Sequence, residues 1–354
     1  MSAFERAFAA RLESPYAVAA RAAADGPGFI AAPEAEGPVL KLTLRDGSWT
    51  ADTVLPGPGG CMSLIPEPGR PGSYLSIMQC YPGYRFAEGG VYRITENASG
   101  TWSSSRIADL PFAHRIETVP AAGGYHLIAA TIAAWKESPE DWSQPGVVYH
   151  AFIDSGAAAG PGETLTPVLE GLHHNHGMLR TTAGDIPVVL VSGDEGVFAL
   201  SFEGDTGEGS APRAAGPLLG RPTSEVAVLD LDRDGAGELL TIEPFHGERI
   251  AMYTQSAGAG LLEPGSWREV WSTTAAFGHG MWAGELGGEH AVLVSNRSED
   301  GNLRRIRSVG GQVMDEALVA GVHAANVAVL HADGTSWVAA TEQATDEVAV
   351  YALR

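Results

Sequence analysis

The chain has 354 residues, with 18% charged, 44% hydrophobic, 45 glycines and a formal net charge of −21. That balance excludes a nucleic-acid partner, because no basic stripe exists to neutralise phosphates, and it disfavours anionic membranes. No run of about 18 apolar residues is available to span a bilayer, and the glycine-rich, weakly charged composition fits a turn-rich, strand-rich protein.

Taken in chain order, the segment MSAFERAFAARLES carries Glu5, Arg6 and Glu13 and lacks an apolar run, so it does not read as a secretory signal. The expected location is cytoplasmic. A faint strand-rich unit opens near Tyr16 and a second near Gly60. Cys61 and Cys80 lie in apolar strand-like text and are read as buried free thiols, two being too few for a disulfide framework. Further units open at His114, His176, residue 224, His279 and residue 324. The clearest is SEVAVLDLDRDGAGELLTIEPFHGERIAMY (224–253), whose short Val-, Ile- and Leu-rich runs are bounded by Gly, Asp and Pro.

Seven starts near 16, 60, 114, 176, 224, 279 and 324 recur at the period of a four-stranded propeller blade. The sequence therefore predicts an all-β fold, a seven-bladed β-propeller of four-stranded antiparallel blades, over residues 1–354 as a single domain. The last unit has three evident strands, so AFAARLE at 7–13 is expected to supply its outer strand and close the ring.

In an antiparallel blade, the start of the innermost strand and the turn between the second and third strands share one face. This sorts the eleven histidines. His114, His173, His174, His176, His246, His279 and His323 fall on one mouth, whereas His126, His290 and His331 lie near the opposite turns and His150 on an outer strand. The word His-Gly-Met occurs twice, at 176–178 and 279–281. Convergence from several blades points to a polar site at the axial mouth, since histidine is both a metal ligand and an acid–base near neutral pH. The same-face turns add Tyr81, Tyr84, Arg85, Trp135, Lys136, Glu243, Asn296, Arg297 and Glu342. Aromatic, cationic and acidic groups around histidines describe a small-molecule pocket, with Trp135, Glu243, His323 and Glu342 as candidate substrate-binding residues. On the opposite face, Asp230, Asp232, Asp234 and Glu238 alternate around Gly235 like an oxygen-rich cation loop, suited to structural calcium or magnesium. Residue 241 is Thr rather than a bidentate Glu, which excludes an EF-hand.

The segments AAWKESPEDWSQPGVV (133–148), IEPFHGERIAMY (242–253) and GHGMWAGEL (278–286) resemble the propeller portion of the aldos-2-ulose dehydratase family, and the acidic turn is similar to FG-GAP or VCBS repeats. The likeness covers roughly the central two-thirds of the chain; the family's larger members carry cupin-like parts that this length does not hold. The resemblance implies a metal-dependent lyase acting on a keto-sugar or similar sugar-derived carbonyl compound. On that reading His176, His246 and His279 hold a divalent transition metal, zinc being expected, and His114 or His174 is the base. Tyr84 or Lys136 donates to the leaving oxygen, and Arg297 neutralises developing charge. A metal-independent uronate lyase and a non-catalytic interaction scaffold are the rival readings; monomer and dimer are both compatible with the sequence. No nucleophile elbow, Walker loop or dinucleotide fingerprint is present.

Overall fold

The computed structural model describes residues 4–353 except 23–24, 84, 155–162, 205–206, 208, 257 and 299–300. Among the described residues there are 28 strands in seven four-stranded antiparallel sheets and no helix. The innermost strands are Pro15–Arg21, Ser63–Pro66, Ala113–Ala121, Gly177–Ala183, Glu225–Leu229, Gly278–Leu286 and Ala324–Ala332. They open blades 1 to 7 in that order, each within three residues of a repeat start read from the sequence. The fold is a seven-bladed β-propeller.

Why strands form here is plain from their second members. Ile186–Gly193 and Thr335–Glu342 are buried almost throughout, because each blade is covered on both faces by its neighbours. Val188, Leu190, Val197 and Ala199 of blade 4 pack on Val226, Leu239, Ala251 and Tyr253 of blade 5. Each Val and Leu among them stabilises the stack by about 1.5–3 kcal/mol on full burial. Outer strands are the most exposed, as in Trp267–Thr274, where only Trp267 is buried.

Ring closure follows the sequence expectation. Phe4–Arg11 pairs with Glu347–Leu353, so the seventh sheet reads N-terminal strand, then the three last strands of the chain. Across the junction of blades 7 and 1, Asn326 Nδ2 and Thr341 Oγ1 both donate to the Tyr16 carbonyl, at 2.9 and 3.1 Å. Cys61 and Cys80 are buried free thiols, and burial pushes the Cys61 thiol up to about 12. No helix is long and apolar enough to cross a membrane.

Candidate functional site at the axial mouth

A backbone device recurs at the head of every innermost strand. Register slips by one residue at Tyr16, His114 and His279, and again at Ala325–Asn326. Ser192 O accepts from His176 N while Ser192 pairs with Gly177, and Ile242 and Ile77 are shared in the same way by Ser224–Glu225 and Met62–Ser63. These are β-bulges, which re-aim side chains. Two residues before the bulge the chain is left-handed in five blades: Ser14 (φ 47), Gly60 (φ 63), Phe112 (φ 62), His174 (φ 49) and Phe277 (φ 53). Only one of these five is glycine; each of the others bears strain of order 1–3 kcal/mol.

The consequence is two tiers on the axis. Tyr16, Met62, His114 and His279 line a mouth cavity of about 150 Å³ together with Glu34, Phe245, His246 and Arg297. One residue further along each strand, Ala17, Ser63, Arg115, Glu225 and Asn326 line a second cavity of about 140 Å³ beneath it. Glycine follows His176 and His279 because the next blade comes too close for a Cβ. An added Cβ would lie 2.6 Å from Ser224 O at Gly177 and 2.7 Å from Ala325 O at Gly280.

Four imidazoles meet at the mouth. The His114–His176, His176–His246, His176–His279 and His246–His279 ring centroids are 4.5, 5.1, 5.2 and 5.0 Å apart. One nitrogen each from His176, His246 and His279 lie within 4.8 Å of one another. His279 Nδ1 donates to Ala325 O at 2.7 Å, which leaves Nε2 as a lone pair turned into the site. His176 is 0% exposed and its Nε2 has no hydrogen-bond partner. Its Nδ1 lies 2.7 Å from Glu225 Oε1, a contact of hydrogen-bond length but off the N–H axis. His246, in left-handed conformation (φ 48), is held by its backbone N–H donating to Ser224 Oγ at 3.2 Å.

Burial holds all four rings neutral. Desolvation is the first cause in each case, reinforced by Arg297, Arg115 and the neighbouring rings; His246 falls to about 3 and the other three fall well below the ordinary range. Neutral imidazoles are what a metal requires. A tetrahedral ion with bonds near 2.0–2.1 Å sets its ligand nitrogens roughly 3.4 Å apart, so this trio, within 4.8 Å, fits one after a contraction of up to about 1.4 Å. Two cations and two carboxylates surround it. Arg115 donates to Glu225 at 2.7 Å, and Arg297 lies 3.6 Å from Glu34. Arg297 Nη1 is also 3.4 Å from His279 Nε2.

Of the residues singled out from the sequence, His114, His176, His246, His279 and Arg297 are brought together here. His174 stands at the rim, its Nδ1 2.7 Å from Asp194 and its ring stacked 4.5 Å from Phe245, which in turn stacks on His246. Lys136 does not line the cavity: its Nζ sits 3.0 Å from the Trp142 ring centroid, and burial lowers it to about 8. Trp135 is 53% exposed and His323 lies half-buried at the start of blade 7, neither against the cavity. Glu243 is engaged inside blade 5 by Tyr253, Arg249 and Thr241, and Glu342 inside blade 7 by Tyr351. Neither carboxylate faces the mouth cavity. Tyr84 lies outside the described residues. On the opposite face Asp230, Asp232 and Glu238 gather, with Asp234 beside them. Their oxygens already accept backbone N–H groups of Leu231, Asp234, Gly235 and Ala236.

Sequence reasoning missed Tyr16, Glu34, Arg115, Glu225 and Phe245. Tyr16 had a signal: it opens the first repeat at the position that His114, His176 and His279 occupy in theirs. Its hydroxyl lies 3.4 Å from both His114 Nε2 and His279 Nε2, and burial raises its pKa.

No protein-family model and no curated protein matches the chain. Solved structures do. The β-propeller domain of Cps50 (Swd1) from Myceliophteria thermophila has a TM-score of 0.61 at 11% identity, covering 99% of this chain and 100% of that one. Sqt1 of Saccharomyces cerevisiae has a TM-score of 0.58 at 11% identity, over 99% of each chain. The soluble aldose sugar dehydrogenase of Escherichia coli, in its apo form, has a TM-score of 0.51 at 12% identity, over 100% of this chain and 99% of that one. At such identities the likeness is one of fold.

Proposed function

We propose that the axial mouth is the active site of a metal-dependent lyase that eliminates water from a keto-sugar or similar small polar carbonyl compound. The single observation that carries the reading is His176. A fully buried imidazole whose Nε2 has no hydrogen-bond partner, within 4.8 Å of nitrogens of His246 and His279, is costly unless something binds it. His176, His246 and His279 would hold the ion, with zinc expected for three imidazoles. Support for a sugar-derived substrate comes from the resemblance to the aldos-2-ulose dehydratase family, and more weakly from a structural neighbour described as an aldose sugar dehydrogenase.

A bound divalent ion supplies Lewis-acid polarisation of the substrate carbonyl. The chain's own residues do the rest. Arg297, reaching the cavity beside His279, binds the oxygen on which negative charge develops. His114, neutral because it is buried, accepts the proton from the carbon next to the carbonyl. Tyr16 is protonated in the resting site because burial raises its pKa; it donates that proton to the departing hydroxyl, which leaves as water, and the proton taken up by His114 then returns to the Tyr16 oxygen 3.4 Å away. Tyr16 takes the donor role in preference to Lys136 because it lines the cavity and Lys136 does not. Phe245 and Met62 give the cavity apolar wall, which lowers the local polarity around the reacting atoms.

The test is conversion of a panel of keto-sugars, followed as the absorbance of the conjugated enone product, with and without chelator. Chelator-sensitive enone formation supports the reading. Turnover of uronate polymers that ignores chelator would replace it with the metal-independent lyase. A second reading rests on Trp135 and Phe277, which are 53% and 39% exposed, as contacts of a protein-binding face. Binding without turnover at that face would favour it.

A further inference from the structure

Beneath His176, an ion pair crosses the ring. Arg115 belongs to blade 3 and Glu225 to blade 5, so the pair skips blade 4, whose innermost strand opens at Gly177. Arg115 Nη2 donates to Glu225 Oε1 at 2.7 Å, and Arg115 Nη1 to Met62 O at 3.1 Å. Both charged side chains are about nine-tenths buried, at 11% and 9% exposure. A buried ion pair is weak evidence of stability, because apolar side chains of similar volume serve packing as well or better. Its place in this ring therefore calls for another reason, and the Glu225 oxygen that Arg115 holds is also 2.7 Å from His176 Nδ1.

We infer that Arg115 and Glu225 are positioning residues: Glu225, pinned by Arg115, keeps the proton of His176 on Nδ1 and turns Nε2 to the metal. Glu225 Oε1 stands 2.7 Å from that nitrogen, and a carboxylate oxygen so close favours an N–H there over a lone pair. The arrangement parallels His279, whose Nδ1 donates to Ala325 O, the corresponding bulge carbonyl of the following blade. Blade 5 adds a carboxylate beside His176 where blade 7 has Asn326. Outer partners of this kind set the tautomer and ring direction of a ligating histidine and typically change metal affinity 10–100-fold.

The inference rests on the metal reading, and the experiment separates the two. Zinc affinity is measured by competition with a chromophoric chelator for wild type, Glu225→Gln and Glu225→Asp. Glu67→Gln is the control, because Glu67 forms an equally buried pair with Arg93 away from the mouth. Wild type should bind one zinc ion per chain, Glu225→Gln roughly 10–100-fold more weakly, and Glu67→Gln like wild type. Glu225→Asp keeps the charge beside Arg115 but withdraws it from His176. It should fold and still lose affinity, which covers the case in which the Gln variant does not fold. Affinities of both Glu225 variants within twofold of wild type would overturn the positioning role alone. A wild type that binds no zinc would overturn the metal reading and the inference with it.

Discussion

His279 and Ala325 are joined across the junction of blades 6 and 7 by a 2.7 Å hydrogen bond from the imidazole Nδ1 to the backbone carbonyl. Through this bond the position of a side chain at the mouth depends on how two blades meet. It also fixes which ring nitrogen carries the lone pair, so that His279 Nε2 faces Tyr16 and Arg297.

Gly280→Ala tests that junction. The new Cβ would stand 2.6 Å from Ser295 Oγ and 2.7 Å from Ala325 O, and a carbonyl in a packed strand yields little. Overpacking of this kind costs about 1–3 kcal/mol. Denaturant unfolding should show that loss, together with weaker zinc binding as His279 is displaced.

Tyr16→Phe removes one hydroxyl whose two contacts are both long, at 3.4 Å. Stability should change by less than about 1 kcal/mol. Turnover should fall by about 100- to 10,000-fold, the usual range for loss of a proton donor, while metal content stays at the wild-type level. Steady-state kinetics and metal analysis on the same preparation check both halves.

Removing residues 1–12 strips the outer strand from blade 7. Phe4 would no longer stack on Tyr351 at 5.2 Å, and Glu347–Leu353 would become an open sheet edge. The truncated chain should melt several degrees lower and self-associate, as read by thermal unfolding and light scattering. By contrast, Arg6→Ala breaks only an exposed ion pair with Glu347 and should shift stability by less than about 1 kcal/mol.

Acid should destabilise the ring through His150, which lies against His126 with Nδ1 and Nε2 2.9 Å apart. Burial, then the His126 charge, lowers His150 from 6.5 to about 4. Between those values the unfolded chain binds the proton and the folded one does not. Stability contributed here is therefore present above pH 6.5 and lost progressively as pH falls toward 4. His150→Gln should flatten the dependence of melting temperature on pH across that window; an unchanged slope would assign it to other groups.

Much of this architecture was legible because a blade is a local unit: short apolar runs, Gly and Asp turns, and a recurring His-Gly-Met word fix where each innermost strand begins. Counting strands then placed His114, His176, His246 and His279 on one mouth. The same counting misled at Glu243 and Glu342. A residue number locates a side chain near a turn, whereas the side of the strand it faces alternates every residue, and these two face into their blades toward Tyr253 and Tyr351. Lys136 and Trp135 sit in a long connection between Gly124–Thr131 and Gly146–Asp154, whose path no periodicity encodes. Arg115 and Glu225 were hidden for a different reason. Their pairing skips a blade, and only the bulges at His114 and Ser224 aim both at the axis.

The central claim is that His176, His246 and His279 hold a metal. Its most direct test is elemental analysis of the purified protein, wild type beside His176→Ala and His279→Ala, with thermal unfolding to confirm that each variant folds. The account predicts one transition-metal ion per chain in wild type, zinc foremost, and its loss from both folded variants. A wild type free of transition metal after purification without chelator and reloading with zinc, or variants that retain it, would contradict the claim.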